Sequence, residues 1–309
     1  MKKTLRLIIM LCLVVSMLFA SVSTVFAGAR NEYVSSVNQL NQILENLNSG
    51  DKVNIYLEDD FIFTTTFVID VPCTINFYGP AKLTSYSNRI FYLDNDNIKL
   101  FFHDVSIEGG IIGGRDFQDD GQAFYINGSN CHIEGVRVER CGSETFDNDM
   151  LKNAFSSWNG GAIYIDGWDN EIFNCYFKDC GSQDDGGAIC IYYDGQLIQD
   201  CTFENCNADD DGGAIYCCVG VDDVVINRCT FTGCTCDDNT VGNNVYGRDN
   251  TIVAGVPQDQ WTDELFYRCS FQTSYTASLF GTGSIIIIAA IVIVAAGVTF
   301  FVIKKKKTN

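Results

Sequence analysis

The sequence predicts an all-β fold, a right-handed parallel β-helix solenoid with an N-terminal capping helix, followed by a single C-terminal transmembrane helix. The segment Gly-Gly-Ala-Ile occurs at 160–163, 186–189 and 212–215, which is a repeat of 26 residues. Within the repeat, apolar and polar residues alternate between Gly, Asp and Asn turns without a 3.6-residue period, which predicts several short strands per unit. Such a unit cannot bury its apolar face alone, so it must stack on its copies.

A second pattern runs in step with the first and supports the same fold. It consists of an apolar residue, a small apolar residue or valine or cysteine three positions later, and a bulky apolar residue two positions after that. Leucine-rich repeats have a similar period, but their Leu/Asn signature is missing here. The copies are Phe102/Val105/Ile107, Ile133/Val136/Val138, Ile172/Cys175/Phe177, Ile198/Cys201/Phe203, Ile226/Cys229/Phe231 and Phe266/Cys269/Phe271.

Both ends of the chain carry targeting patterns. Residues 1–27 combine early basic residues, an apolar stretch and small residues up to Ala27, which is typical of a cleaved secretory signal. After a linker at 272–284, residues 285–303 carry no charge and precede four lysines in the tail 304–309, which predicts a transmembrane helix with a cytoplasmic end. The expected location is the cell membrane, crossed once, with the ectodomain outside.

A short amphipathic helix is predicted within residues 28–50, ahead of the β-helix at residues 51–271. Its apolar stripe is expected to cover the first coil, whose open end would otherwise expose unpaired backbone groups. The stripe consists of Val37, Leu40, Ile43, Leu44 and Leu47, and the first strands are expected at 53–57, 66–69, 74–78 and 98–102.

In the regular coils, side-chain alternation predicts an inner and an outer face for the strand that follows each Gly-Gly. The isoleucines of the repeat are assigned to the core, and the alanines and tyrosines to the outside. A flat outer face with tyrosines can stack sugar rings or contact a protein partner, although tyrosine also packs well on any parallel sheet. The candidate binding residues are Tyr164, Tyr192 and Tyr216.

Irregular spacing of the repeats locates insertions near 109–119, 142–158 and 235–262. Insertions in a solenoid lie in loops, where specificity is usually built. The longest one, with Asp237, Asp238, Arg248 and Trp261, is expected to cover the last coil.

The ectodomain is strongly acidic. The whole chain carries a formal net charge of −19, and without the basic residues of the leader and tail, residues 28–280 carry −26. Such a surface repels nucleic acid and anionic polymers and attracts cations or basic partners. Binding to nucleic acid is therefore not expected.

Fourteen of the fifteen cysteines lie beyond the leader, and many recur at repeat positions. Stacked columns bring thiols to separations that disulfide geometry accepts, but cysteine also packs as a small apolar residue. Both interpretations stay open. One column is Cys175, Cys201, Cys229 and Cys269, and the other is Cys141, Cys180, Cys206 and Cys234.

Acidic pairs precede the glycines of successive coils, at 119–120, 184–185 and 210–211. A ladder of carboxylates is unfavourable unless water or a cation screens it, and calcium prefers oxygen ligands of this kind. Asp before Gly is also ordinary turn chemistry. The candidate calcium ligands are Asp184, Asp185, Asp210 and Asp211.

No catalytic constellation is evident. A polysaccharide lyase needs a basic side chain beside calcium-bound carboxylates, and a hydrolase needs two carboxylates at a defined separation. The regular coils contain few basic residues, among them Lys178 and Arg228. His103 and His132 lie in no recognisable catalytic motif. Whether the protein is an enzyme is left open, with a non-enzymatic role favoured.

The stretch from about 120 to 235 resembles the repeats of chlamydial polymorphic membrane proteins and of methanogen adhesin-like surface proteins. Those repeats pair Gly-Gly-Ala-Ile with Phe-x-x-Asn, whereas cysteine replaces the asparagine at Cys180, Cys206 and Cys234. The capping helix and opening strands are also similar to the pectin-lyase-like superfamily. The resemblance implies a surface adhesin or a glycan-binding protein.

The sequence therefore favours a membrane-anchored, non-catalytic adhesin or module that binds glycan or envelope components. Its expected partners are a polysaccharide or an envelope or surface protein. The alternative is a calcium-dependent polysaccharide lyase or hydrolase that uses the four aspartates.

Overall fold

A computed structural model describes residues 28–85, 88–109, 120–142, 159–236, 242–248 and 250–272. Across these ranges, 28 short strands, numbered β1 to β28 along the chain, form four parallel sheets around one apolar core. Successive coils place one strand in each of sheets A, B and C, and three coils add a strand to a small sheet D. Apart from a short last coil, this is the architecture of a parallel β-helix, as predicted.

The strands of each sheet follow one another coil by coil. Sheet A contains β1 (Arg30–Val34), β2 (Lys52–Leu57), β5 (Thr74–Tyr78), β8 (Lys99–His103), β11 (His132–Glu134), β14 (Glu171–Phe173), β18 (Leu197–Gln199), β22 (Val225–Asn227), β26 (Ile252–Ala254) and β28 (Ser270–Gln272). Sheet B contains β3 (Phe61–Phe63), β6 (Lys82–Ser85), β9 (Ser106–Gly109), β12 (Arg137–Glu139), β15 (Tyr176–Lys178), β19 (Thr202–Glu204) and β23 (Thr230–Thr232). Sheet C contains β4 (Phe67–Ile69), β7 (Phe91–Leu93), β10 (Phe124–Ile126), β13 (Ile163–Ile165), β17 (Ile189–Ile191), β21 (Ile215–Cys217), β25 (Val245–Tyr246) and β27 (Phe266–Tyr267). Sheet D contains β16 (Gly181–Ser182), β20 (Asn207–Ala208) and β24 (Thr235–Cys236).

The N-terminal end is closed by helix α1 (Val37–Glu45), as predicted. Ser36 caps it, because its side-chain oxygen accepts a hydrogen bond from the Gln39 amide at 3.3 Å. Leu40 and Leu44 are buried against the first coil. Strand β1, which precedes the helix and forms the edge of sheet A, was not predicted from the sequence.

The core consists of columns of identical or similar side chains. In sheet B, Phe177, Phe203 and Phe231 stack with ring centroids 5.0 Å apart at each step. In sheet C, Ile163, Ile189 and Ile215 pair in register and are fully buried. The inward face predicted for the isoleucines is confirmed.

Three details of the predicted repeat are wrong. The repeat alanines Ala162, Ala188 and Ala214 are fully buried in the core, because they lie at the corner before each strand, where alternation does not yet apply. Phe102 lies in β8 and pairs with Phe77 of β5. The residue of β8 that pairs with Ile133 is Leu100, so Leu100 and not Phe102 is the equivalent position. Phe266 lies in sheet C, not in sheet A, so the last copy of the second pattern spans the corner between sheets C and A.

The segment 235–262 is largely a further coil rather than an insertion. It contributes β24, β25 and β26, and a short 3₁₀ helix (Gln258–Gln260) follows β26. Trp261 follows that helix and stacks on Phe271 at 4.8 Å, so the predicted covering role is confirmed for Trp261.

All fourteen cysteines beyond residue 27 are free thiols in the structure, and twelve of them are buried. The two columns pack inside the coils as small apolar side chains. Cys269 is not part of its predicted column, because it lies at the corner between sheets C and A, close to Gly247. A separate pair lies on the outside of sheet C, where the Cys190 and Cys218 sulfurs are 3.7 Å apart.

The predicted leader, transmembrane helix and tail lie outside the described residues. The same holds for Asp237 and Asp238 and for nearly all of the linker and of the insertions at 109–119 and 142–158. Among the described residues, no helix has the length and apolar character needed to cross a membrane.

Candidate functional site

A column of tyrosines runs along the outer face of sheet C. In sheet C, the second residue of each strand from β7 onwards points outwards. This residue is a tyrosine in all of these strands except β17, where it is Cys190. Neighbouring rings contact one another, with centroids 5.1 Å apart for Tyr125 and Tyr164 and 5.4 Å apart for Tyr216 and Tyr246. We call this set the tyrosine column: Tyr92, Tyr125, Tyr164, Tyr216, Tyr246 and Tyr267.

Two arginines cover parts of the tyrosine column. The Arg89 guanidinium lies 4.6 Å from the centre of the Tyr125 ring. Arg248 lies 4.9 Å from the centre of the Tyr246 ring and donates to the Tyr216 hydroxyl at 3.0 Å.

Two of the three predicted binding tyrosines are nearly buried. Tyr164 is 9% exposed and Tyr216 is 8% exposed, and burial raises the pKa of both hydroxyls. Tyr192 lies two residues beyond the column position of its strand, which Cys190 occupies, and it is 50% exposed. The three residues do not form one flat row, and only Tyr192 offers substantial ring surface.

Tyr192 belongs instead to an exposed aromatic cluster at the corner between sheets C and A. Trp168 is 48% exposed and contacts Tyr193, with ring centroids 4.2 Å apart and the ring planes tilted by 48°. Tyr193 contacts Tyr192 at 5.4 Å, with the rings nearly perpendicular. We call Trp168, Tyr192 and Tyr193 the aromatic patch.

The turns that carry the aromatic patch are fixed from below by two buried amides. Asn170 and Gln196 are each 1% exposed, and the Asn170 backbone amide donates to the Gln196 side-chain oxygen at 3.0 Å. The Gln196 side chain donates to the carbonyls of Gly167, Tyr193 and Asp194 at 2.8–2.9 Å. Because these bonds hold both turns, the rings are presented in a defined arrangement at little further entropic cost.

The aromatic patch was only partly visible in the sequence. Trp168 and Tyr193 follow the ends of β13 and β17, beyond the residues to which strand alternation assigns a face. The signal that would have found them is the recurrence of aromatic and acidic residues with glycine in two successive turns, at 166–169 and 192–195.

The predicted calcium ligands are only partly brought together. Oxygen atoms of Asp184, Asp185 and Asp210 lie within 4.8 Å of one another, whereas Asp211 is not part of this group. We call these three residues the carboxylate cluster. Oxygen donors at this spacing suit a hard cation such as calcium, which binds carboxylates at about 2.3–2.6 Å.

The same aspartates also have a structural role. The Asp185 carboxylate accepts a hydrogen bond from the Asp211 amide at 3.1 Å, and one coil earlier the Asn159 side chain accepts from the Asp185 amide at 3.3 Å. The side chain of Asp120 accepts from the Asn159 amide at 2.8 Å. This ladder satisfies backbone donors between coils, and an uncharged asparagine serves at one of its steps.

The electrostatics of the carboxylate cluster are unfavourable without a cation. Burial, with the charges of neighbouring aspartates, raises the pKa of Asp185 to about 7. Burial and the nearby Asp210 also raise the pKa of Asp184. A cation bound here would relieve this repulsion.

Basic side chains of the described coils are mostly engaged elsewhere. Lys178 contacts Glu204 at 2.9 Å on sheet B, and Arg228 binds Asp200 through two hydrogen bonds. His103 stacks on Tyr78, and His132 lies between Glu134 and Glu171 with both ring nitrogens within 3.0 Å of a carboxylate. Each of these groups has a structural partner.

The comparison with known families agrees with the fold. A family model described as a right-handed beta helix region matches residues 117–258. Together with the parallel sheets, this match identifies the described coils as a right-handed parallel β-helix. No curated protein matches the chain.

Proposed function

We propose that the protein is a membrane-anchored, non-catalytic surface module that binds glycan or envelope components, and that the aromatic patch is its binding surface. The observation that carries this proposal is the pair of half-exposed rings, Trp168 and Tyr192, on turns fixed by the buried Asn170 and Gln196. Exposed aromatic rings on a rigid scaffold are suited to stacking on sugar rings.

The targeting patterns and the resemblance support a location at the cell surface. The secretory pattern at 1–27 and the apolar segment at 285–303 with its lysines predict a single-pass protein with the β-helix outside. The Gly-Gly-Ala-Ile repeats resemble those of adhesin-like surface proteins. β-helix domains are compatible with surface and polysaccharide-related roles.

A panel assay with the purified full-length protein tests this function. Immobilised cell-wall, plant and host polysaccharides are incubated with the protein, and retained protein and released reducing ends are both measured, with calcium and with chelator. We expect retention on at least one polysaccharide, without released ends. Trp168→Ala should abolish retention, whereas Tyr33→Ala, which removes a 66% exposed tyrosine on sheet A, should not.

The rival function is a calcium-dependent polysaccharide lyase or hydrolase centred on the carboxylate cluster. The observation that favours it is the close approach of the Asp184, Asp185 and Asp210 carboxylates, a set of oxygen donors that suits calcium. The panel assay separates the two functions, because only an enzyme releases sugar ends. Calcium-dependent cleavage that is lost in Asp185→Asn would replace the binding proposal with the enzymatic one.

A further inference from the structure

We propose that the ligand of the aromatic patch is positively charged, and specifically that it is an amino-sugar polymer with free amino groups. This inference rests on the proposed binding function and specifies its ligand. It is carried by the carboxylates that lie in the same two turns as the exposed rings.

Three aspartates lie in the two turns of the aromatic patch. Asp166 precedes Gly167 and Trp168, Asp169 follows Trp168, and Asp194 follows Tyr193. The two turns are in contact, because the Asp169 amide donates to the Asp194 carbonyl at 3.1 Å. The Asp169 carboxylate packs directly on Gly195, where an added Cβ would lie 2.1 Å from its Oδ1 atom.

Within the described residues, these carboxylates have no cationic partner that would neutralise them. Among the ion pairs of those ranges, none involves Asp166, Asp169 or Asp194. Asp166 accepts a hydrogen bond from the Tyr125 hydroxyl at 2.7 Å, and Asp194 accepts one from the Asp222 amide at 2.8 Å. Both contacts are with neutral donors, so the negative charge of the patch remains available.

Aromatic rings beside carboxylates recognise ammonium groups. The face of a tryptophan or tyrosine ring attracts a cation, and a carboxylate forms a charge-assisted hydrogen bond with an ammonium group. An acidic polysaccharide would meet repulsion from the same carboxylates and from an ectodomain with a net charge of −26. Charge complementarity therefore favours a cationic ligand over an anionic one.

A glycan fits the patch better than a basic peptide. Peptides are commonly held through their main chain, at an open strand edge or in a groove. Here β13 and β17 are paired on both sides within sheet C, and the Gln196 side chain occupies the carbonyls of Tyr193 and Asp194. Recognition must therefore use side chains, which suits sugar rings that stack and donate hydroxyl and ammonium hydrogen bonds.

Calorimetric titration of the full-length protein tests the inference. The probes are hexamers of glucosamine, N-acetylglucosamine and galacturonic acid, and hexalysine. We expect the glucosamine hexamer to bind about tenfold or more tightly than its N-acetylated form, and the galacturonate hexamer not to bind. Neutralising the patch in Asp169→Asn/Asp194→Asn should reduce that preference to about threefold or less. The control, Glu58→Gln/Asp59→Asn, removes two charges from an exposed turn and should leave the preference unchanged.

The outcomes separate the inference from the function beneath it. Equal binding of the two glucosamine forms would refute the charged ligand but leave a glycan-binding function in place. Tighter binding of hexalysine than of any sugar would also overturn the inference and indicate a basic protein partner. Failure to bind any sugar in this titration and in the panel assay would refute glycan binding, the part of the proposed function on which the inference rests.

Discussion

Replacement of Asp185 by asparagine should stabilise the protein at alkaline pH in the absence of calcium. The Asp185 carboxylate accepts a hydrogen bond from the Asp211 amide, and an asparagine side chain can accept the same bond. Asn159 already performs this role one coil earlier, where its side chain accepts from the Asp185 amide. The substitution therefore retains the ladder and removes the charge.

The pKa of Asp185 sets the magnitude and the direction. A rise from 3.8 to about 7 corresponds to about 4 kcal/mol, at about 1.4 kcal/mol per pH unit. Because Asp185 is only partly buried, solvent screening reduces this to about 1–2 kcal/mol. Because the pKa of Asp185 is higher in the folded state, protonation of Asp185 favours folding. This contribution to stability is fully present below about pH 3.8 and is lost as the pH rises through about 7. At pH 8 the variant should exceed wild type by this amount, and near pH 4 the two should agree.

Thermal unfolding in chelator, followed by circular dichroism from pH 4 to pH 8, measures the effect. For a domain of this size, the expected gain in Tm at pH 8 is about 2–8 °C. The control Asp59→Asn removes the same charge from an exposed turn and should show no comparable gain. A variant that is less stable than wild type at pH 8 in chelator would refute the argument. If calcium binds the carboxylate cluster, added calcium should stabilise wild type and not Asp185→Asn.

Three further changes probe the coils. Gly187→Ala should prevent soluble folding, because the added Cβ would lie 2.2 Å from the Gly213 carbonyl oxygen; recovery of soluble, folded protein would contradict this packing. Phe203→Ala should lower the free energy of unfolding by about 3–5 kcal/mol in denaturant titration, since it removes the fully buried middle ring of a stack of three; a loss below about 1 kcal/mol would show that the column is loosely packed. Burial alone lowers the pKa of His132, but its hydrogen bonds to Glu171 and Glu134 outweigh burial and raise the pKa overall. The stability that protonated His132 contributes to the fold should therefore persist to higher pH and be lost as the pH passes the raised pKa. In thermal unfolding from pH 5 to pH 9, His132→Gln should not show this loss of stability. Native-state labelling with a thiol reagent should modify Cys218 and Cys269 first, because they alone among the described cysteines are partly exposed; absence of any titratable thiol after unfolding would instead reveal disulfides.

The repeat determined what the sequence could predict. The 26-residue period requires stacking, and alternation places Ile163, Ile189 and Ile215 in the core, because each coil imposes the same geometry on the next. The spacing of apolar residues does not distinguish one corner of a coil from another. For this reason Phe266, Cys269 and Phe271 match the second pattern although Phe266 lies in sheet C.

The candidate site depends on contacts that the repeat does not encode. Tyr216 is nearly buried because Arg248, from the next coil, covers its ring and binds its hydroxyl. Trp168 is exposed because it lies in a turn that Asn170 and Gln196 hold from below. Such contacts between coils become visible only when the register of the stack is known.

The most direct test of the account follows Trp168 itself during binding. The protein has three tryptophans, so Trp158→Phe/Trp261→Phe leaves Trp168 as the sole reporter. Titration of this full-length variant with a polysaccharide that retains wild type should shift the Trp168 emission to shorter wavelength, saturate, and release no sugar ends. Tight retention with unchanged Trp168 emission would place the ligand elsewhere and contradict the account.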